Sequence, residues 1–144
     1  MDAPIELYAG PVVVTVGYLA LYYAFMIRIA VLKRTLAREY REKGEKFDRY
    51  FTPDRRMLAA DRAQLNMLEH MPPFLALLWL NAVFVGVTGA TIAGGIYLAA
   101  RVAYPLLMGA RLGRDVRASI FLVTVPGYLV MLYFLGALLW ALGA

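Results

Sequence analysis

The stretch "DRAQLNMLEHMPPFLALLWL", residues 61–80, joins a polar segment directly to a long apolar one. Arg62, Asn66 and Glu69 follow one another at helical spacing, so they fall on one narrow stripe of an α-helix. Residues 71–100 then contain no charged side chain, which is typical of membrane-spanning sequence. Charged side chains within a membrane span are costly and usually face the interior of a bundle. The stretch therefore predicts a transmembrane helix that lines a buried polar site at one end.

The rest of the chain predicts three further membrane-spanning helices. Of the 144 residues, 62% are hydrophobic, whereas soluble domains are about half apolar. Uncharged runs cover residues 7–27, 71–100 and 118–144, and the turn signal Gly86-Val87-Thr88-Gly89 divides the middle run. We therefore predict one all-α domain over residues 1–144, an integral membrane four-helix bundle. Its predicted helices span about 8–34, 60–86, 90–110 and 117–142.

The distribution of basic residues predicts how the bundle is oriented. The net charge is +5, and the basic residues cluster in the first and third predicted loops, while the termini and the turn at 86–89 carry none. By the positive-inside rule, both basic loops are cytoplasmic and both termini lie outside. The first loop carries Lys33, Arg34, Arg38, Arg41, Lys43, Lys46, Arg49, Arg55 and Arg56, and the third carries Arg111, Arg114 and Arg117.

These observations predict an integral, multi-pass membrane protein in contact with membrane lipids. Because no retrieval signal is visible at the end of the chain, we expect a bacterial inner membrane. Anionic lipid headgroups account for the basic first loop, so we expect no nucleic-acid partner. The chain has no cysteine and one histidine, so we expect no metal site, and any thiol chemistry would need a thiol supplied by a ligand.

Charged residues within the predicted helices lie at a similar depth in three of them: Arg28, Arg62, Glu69 and Arg101. A buried ion pair between Glu69 and Arg101 that fixes helix packing is one interpretation. One carboxylate cannot neutralise three arginines, however, so the surplus positive charge predicts an anionic ligand. Glu69 could then accept a hydrogen bond from a ligand ammonium group. An amphoteric small molecule that carries carboxylates fits this set.

Small residues predict close helix packing on the third helix. Gly95, Ala99 and Ala103 are spaced four residues apart, which forms a stripe of small side chains on one helix face. The stripe indicates tight packing either within a subunit or between subunits.

Three motifs resemble those of a known family, the membrane-associated proteins in eicosanoid and glutathione metabolism (MAPEG). The segment "RAQLNMLEHMPPF" resembles the family's helix 2 signature through Arg62, Gln64, Asn66, Glu69, Pro72 and Phe74. The segment "YLAARVAY" resembles its helix 3 pattern through Arg101 and Tyr104, and "LKRTL" resembles its basic pair through Lys33 and Arg34. The likeness is strongest to the leukotriene C synthase and microsomal glutathione transferase branch.

The resemblance implies a homotrimer that binds glutathione between neighbouring subunits near the cytoplasmic face. The residues that it implies for glutathione binding are Arg62, Gln64, Asn66, Glu69 and Tyr104, and we expect Arg28 and Arg34 of helix 1 to contribute. An arginine at the start of helix 4, either Arg114 or Arg117, would be catalytic by stabilising the glutathione thiolate.

Two functions follow from this resemblance. The first is an enzyme of detoxification, a glutathione transferase with or without peroxidase activity, which joins glutathione to lipophilic small-molecule substrates from the bilayer. The second is a non-catalytic membrane scaffold that binds glutathione or a lipid for a partner protein. Met108 favours the second, because the family often has a tyrosine at that position.

Overall fold

The computed structural model of the chain describes residues 5–109 and 120–143. A short 3-10 helix, Ile5–Tyr8, leads into four long helices, which are α1 (Ala9–Glu42), α2 (Arg55–Phe84), α3 (Val87–Met108) and α4 (Phe121–Gly143). Each is long and apolar enough to cross a membrane, which fits an integral, multi-pass membrane protein. The predicted all-α four-helix bundle is confirmed, and the described residues contain no strand.

The helices at the basic end of the bundle, where α1 ends and α2 begins, are longer than predicted. The first helix was expected to end near residue 34, but α1 continues to Glu42, and α2 begins at Arg55 instead of residue 60. The helix ends were predicted from the ends of the apolar runs, so charged helical residues were left out. This charged end of α1 is amphipathic, since it buries Ile29 and Leu36 on one face. Asp54 starts α2 as its N-cap, and its side chain accepts hydrogen bonds from the backbone N–H groups of Arg56 and Met57. The predicted start of the fourth helix at residue 117 lies outside the described residues.

The last part of α1, the connecting loop and the first residues of α2 form a two-helix stalk, residues 29–60, with a small core of its own. Ile29, Leu36, Met57 and Ala60 are buried together, and Phe47 of the connecting loop packs against them. The part of α1 in the stalk is about 20 Å long at 1.5 Å per residue. The loop that closes the stalk is held to α2 by an ion pair, since the Arg49 guanidinium lies 2.7 Å from the carboxylate of Asp61.

Charged groups fix the base of this loop. Arg56 Nη2 lies 2.7 Å from a carboxylate oxygen of Glu39 on α1 and 3.0 Å from one of Asp54, so one guanidinium joins both helices of the stalk. The hydrogen bond from Arg56 holds the pKa of the Asp54 carboxyl below its ordinary value. The ionised carboxylate therefore stabilises the folded stalk above its ordinary pKa, and this contribution is lost as the pH falls through the lowered value.

Replacing Asp54 tests this contribution. We expect Asp54→Ala to cost about 1 kcal/mol of stability at neutral pH, because the cap is lost. Asp54→Asn should keep much of the cap but lose the pairing with Arg56, and its stability should fall less than that of the wild type on acidification. Thermal unfolding of the detergent-solubilised protein at several pH values would measure both. A wild-type pH dependence in Asp54→Asn would contradict this role.

An aromatic column joins α1, α2 and α3 in the middle of the bundle. The Phe74 ring stacks on Tyr97 with centroids 4.1 Å apart and planes 11° apart. The Tyr18 ring packs beside both, with its centroid 5.2 Å from that of Phe74 and 6.4 Å from that of Tyr97. All three side chains are fully buried. The Tyr18 hydroxyl also donates to the backbone carbonyl of Met67 at 2.7 Å. The column therefore fixes three helices close to the polar stripe of α2.

The central ring of the column should be a large source of stability. We expect Phe74→Ala to destabilise the protein by about 3–5 kcal/mol, because it leaves a cavity beside the buried rings of Tyr18 and Tyr97. Phe84→Ala is the matched control, since Phe84 lies on the same helix with 69% of its surface exposed. Thermal unfolding in detergent measures the difference. Equal effects of the two substitutions would show that the column does not stabilise the bundle.

Polar and small residues hold the helices together at the other end of the bundle. The Asn81 side-chain amide of α2 donates to the backbone carbonyl of Phe134 on α4 at 3.0 Å. Gly94 allows α3 to approach α2, because a Cβ there would lie 2.9 Å from Leu78. The small-residue stripe predicted on the third helix faces away from the bundle instead. A Cβ at Gly95 would meet nothing within 4 Å, and Ala99 is exposed. Packing within the chain therefore does not account for that stripe.

Candidate ligand-binding site

The polar stripe of α2, defined as Arg62, Asn66 and Glu69, lies on the side of the helix that faces away from the core. Ala63 and Met67 are buried, and the stripe lies about 100–160° around the helix from Met67. Arg62 and Glu69 are exposed, and Asn66 is half-buried at the edge of α2. The predicted stripe therefore exists, and two of its three side chains are directed out of the subunit.

Arg101 of α3 is the buried charge behind this stripe. Its side chain is 6% exposed, although α3 is a candidate membrane span. The guanidinium Nη1 donates to Oδ1 of Asn66, and Nη2 donates to the Tyr97 hydroxyl at 2.8 Å. The guanidinium carbon also lies 4.6 Å from the centroid of the Tyr97 ring, a cation–π contact. Arg101 therefore links the stripe to the aromatic column.

Helix α4 packs closely against the same guanidinium. A Cβ at Gly127 would lie 3.2 Å from Nη2 of Arg101, so any larger residue there would crowd the guanidinium. The Nε atom of Arg101 is buried and has no hydrogen-bond partner among the residues described.

The predicted ion pair between Glu69 and Arg101 is absent from the described part of the chain. Its ion pairs join Arg38 to Glu42, Arg49 to Asp61, and Arg56 to both Glu39 and Asp54. Glu69 lies about 60° beyond Asn66 on the outer side of α2, so Asn66 is the stripe residue that faces α3. Spacing along one helix predicts which residues share a stripe, but it does not predict which edge of the stripe meets a neighbouring helix.

Other predicted binding residues lie apart from the stripe within one chain. Gln64 is on the opposite flank of α2, where its side-chain amide donates to the Tyr22 hydroxyl of α1 at 3.4 Å. Arg28 and Arg34 are exposed on α1, and in the described residues neither forms a hydrogen bond or ion pair with the stripe. One chain therefore brings Arg62, Asn66 and Glu69 together on the stripe, with Arg101 behind Asn66. It does not bring Gln64, Arg28 or Arg34 to the stripe.

The residues that follow Arg101 lie partly in the core. Tyr104 is half-buried and packs against the main hydrophobic cluster. Met108 is buried in that cluster, so the side chain in place of the family's tyrosine packs within the bundle. Arg114 and Arg117, the two predicted catalytic arginines, lie outside the described residues.

An apolar groove lies between α3 and α4, at a different level of the bundle. Its volume is about 470 Å³, and its lining includes Ile92 and Ile96 of α3 with Leu129 and Tyr133 of α4. None of the stripe residues lines it. The groove and the stripe are therefore separate features.

The exposed side of the stripe offers a guanidinium, a carboxylate and part of an amide. These three residues were predicted from the sequence. Tyr97 was not predicted as a partner of Arg101, although the two lie four residues apart, about one helical turn. This set of groups is complementary to a small molecule that carries both an ammonium group and carboxylates.

Comparison with known proteins gives the chain a family. A search of curated proteins found no match. Among protein families, residues 11–140 match the MAPEG family, a range that includes the polar stripe, Arg101 and most of the four helices. This family includes glutathione transferases and other members that bind glutathione or lipids. Because the match covers most of its length, the chain belongs to the MAPEG family.

Proposed function

We propose that the protein is a membrane-embedded glutathione transferase that acts as a homotrimer. It would join glutathione to lipophilic electrophiles that reach it from the bilayer, and it would resemble the leukotriene C synthase and microsomal glutathione transferase branch. The observation that carries this proposal is the exposed polar stripe on α2 of a MAPEG chain.

The exposure of the stripe supports a site that a neighbouring subunit completes. Arg62 and Glu69 are directed outward from a candidate membrane span, where hydrocarbon would leave their charges without partners. A second subunit and a polar ligand together would cover them. The outward-facing small residues Gly95 and Ala99 on α3 suit close approach between subunits.

The chemistry of the stripe fits glutathione. Glutathione carries two carboxylates, one ammonium group and two peptide groups, so it needs both cationic and anionic partners. Arg62 would pair with a carboxylate, Glu69 would accept from the ammonium group, and Asn66 would donate to an oxygen atom. Arg28, Arg34 and Gln64 do not reach the stripe within their own chain, so we assign them to the neighbouring subunit's share of the site.

Tyr104 and one arginine outside the described residues would complete the site. Glutathione supplies a thiolate nucleophile, which the cysteine-free chain cannot provide itself. A thiol has an ordinary pKa of about 8.5, so a guanidinium from Arg114 or Arg117 beside it would increase the thiolate fraction at neutral pH. Tyr104 would hold the bound molecule from α3.

The alternative is a non-catalytic scaffold that binds glutathione or a lipid for a partner protein. Met108 supports it, because its buried side chain offers no hydroxyl group where the family often has one. Tight glutathione binding without turnover of any electrophile or hydroperoxide would favour this alternative.

Glutathione binding should depend on the charged members of the stripe. We expect glutathione to raise the unfolding temperature of the wild type in a dose-dependent way. A glutathione concentration of a hundred times Kd should add about 2.7 kcal/mol to the free energy of unfolding. Arg62→Ala and Glu69→Gln should each lose most of this rise, because each removes a charged partner of the ligand. Thermal unfolding of the detergent-solubilised trimer measures it.

Arg38→Ala and Glu42→Gln are matched controls, since these two residues form an exposed pair on the stalk. They should keep the full rise. No rise in the wild type, or equal losses in the stripe and control variants, would contradict glutathione binding at the stripe.

The thiolate role should belong to one arginine of the third loop. We expect either Arg114→Ala or Arg117→Ala to lower kcat at least tenfold at neutral pH and to shift the rate profile to higher pH, because the thiol would ionise less readily. Glutathione-dependent turnover of a lipophilic electrophile measures this, with Arg111→Ala as the control. Unchanged turnover in both variants would show that the thiolate is stabilised in another way.

A further inference from the structure

We propose that Arg101 is a positioning residue that fixes the side-chain amide of Asn66 so that its NH2 group faces glutathione. This inference rests on the proposed function and adds a direction to one of its contacts. It follows from the hydrogen bond that joins the two side chains.

The bond determines which end of the Asn66 amide is free. A guanidinium has only N–H donors, so the atom that Arg101 contacts must be the amide oxygen. The NH2 group at the other end of the amide is therefore directed away from Arg101. Because Asn66 lies at the half-buried edge of the stripe, this NH2 group is the part that a ligand can reach. Asn66 would thus donate to a carboxylate or a peptide carbonyl of glutathione.

The guanidinium itself has little freedom to move. Tyr97 accepts a hydrogen bond from Nη2 and lies beneath the guanidinium, and the Tyr97 ring is stacked on Phe74. Gly127 of α4 lies close to Nη2, where an added Cβ would come within 3.2 Å of it. A rigid donor holds its acceptor in one orientation, so three helices together determine how Asn66 is presented.

Arg101 acts through Asn66 and does not touch the ligand. Its side chain is 6% exposed, whereas Arg62 and Glu69 are exposed on the outer side of α2. The role of Arg101 is therefore distinct from that of a direct glutathione contact. It also predicts that the effect of losing Arg101 depends on the presence of Asn66.

A double-mutant cycle tests this dependence. The dissociation constant of glutathione is measured by calorimetry for the full detergent-solubilised protein and for Arg101→Met, Asn66→Leu and the double variant. We expect Arg101→Met to weaken binding about tenfold in the wild type but less than about twofold in the Asn66→Leu background, because the residue it orients is already gone. Arg101→Lys should restore most of the affinity, since an ammonium group can also donate to Oδ1.

Equal losses in the two backgrounds would overturn the inference, as would normal affinity in Arg101→Met. The double variant should fold, because replacing both partners of a buried hydrogen bond by apolar groups is less damaging than replacing one. If Arg101→Met does not fold, Tyr97→Phe removes one partner of Arg101 and should weaken binding a few-fold in the wild type but not in Asn66→Leu. A wild type that does not bind glutathione would refute the proposed function itself, and this result is distinct because it needs no variant.

Discussion

The buried guanidinium of Arg101 is the constraint on which the rest of the site depends. A charge within a membrane span must be surrounded by hydrogen bonds and polarisable groups, because hydrocarbon cannot solvate it. Here the partners in the described residues are neutral: Tyr97 supplies a hydroxyl and a ring face, and Asn66 supplies an amide oxygen. The guanidinium is surrounded by Tyr97, whose ring stacks on Phe74, by Gly127 of α4, and by Asn66 at the edge of α2.

One face of helix α2 packs in the core, and another face carries the polar stripe. Its inner face packs through Met67 and Phe74, which builds the aromatic column. Its outer stripe presents Arg62 and Glu69, which have no role in packing the single chain. Asn66 lies between the two faces and connects them. A site of this kind can be rigid on the inside and open to a ligand on the outside, and in the proposed trimer a second subunit would close it.

Sequence patterns predicted the number of helices, since uncharged runs and the turn at Gly86 and Gly89 divide the chain at the right places. They did not predict the stalk, because the apolar run of the first helix gives way to charged residues at Arg34 and Arg38. The helix α1 nevertheless continues to Glu42. Asp54 followed by a helical pattern was an N-cap signal that could have located the start of α2.

The sequence predicted which residues belong to the candidate site, but it did not predict which of them contact one another. The motif at residues 62–74 identified the stripe, yet the ion pair considered between Glu69 and Arg101 is not among the ion pairs of the described residues. Periodicity cannot distinguish Asn66 from Glu69 as the residue that meets α3, because that choice depends on how α2 is rotated against its neighbours. Asn81 was missed too, although a lone amide within an apolar run indicates a contact between helices.

The central claim is that glutathione binds at the polar stripe of α2, between subunits. The most direct measurement is an electron cryo-microscopy structure of the full chain in lipid nanodiscs with saturating glutathione. The account predicts a trimer with glutathione density against Arg62, Asn66 and Glu69, and with the Asn66 amide nitrogen nearest an oxygen of the ligand. Density at another place, or a fully assembled protein whose stripe is covered by protein alone, would contradict it.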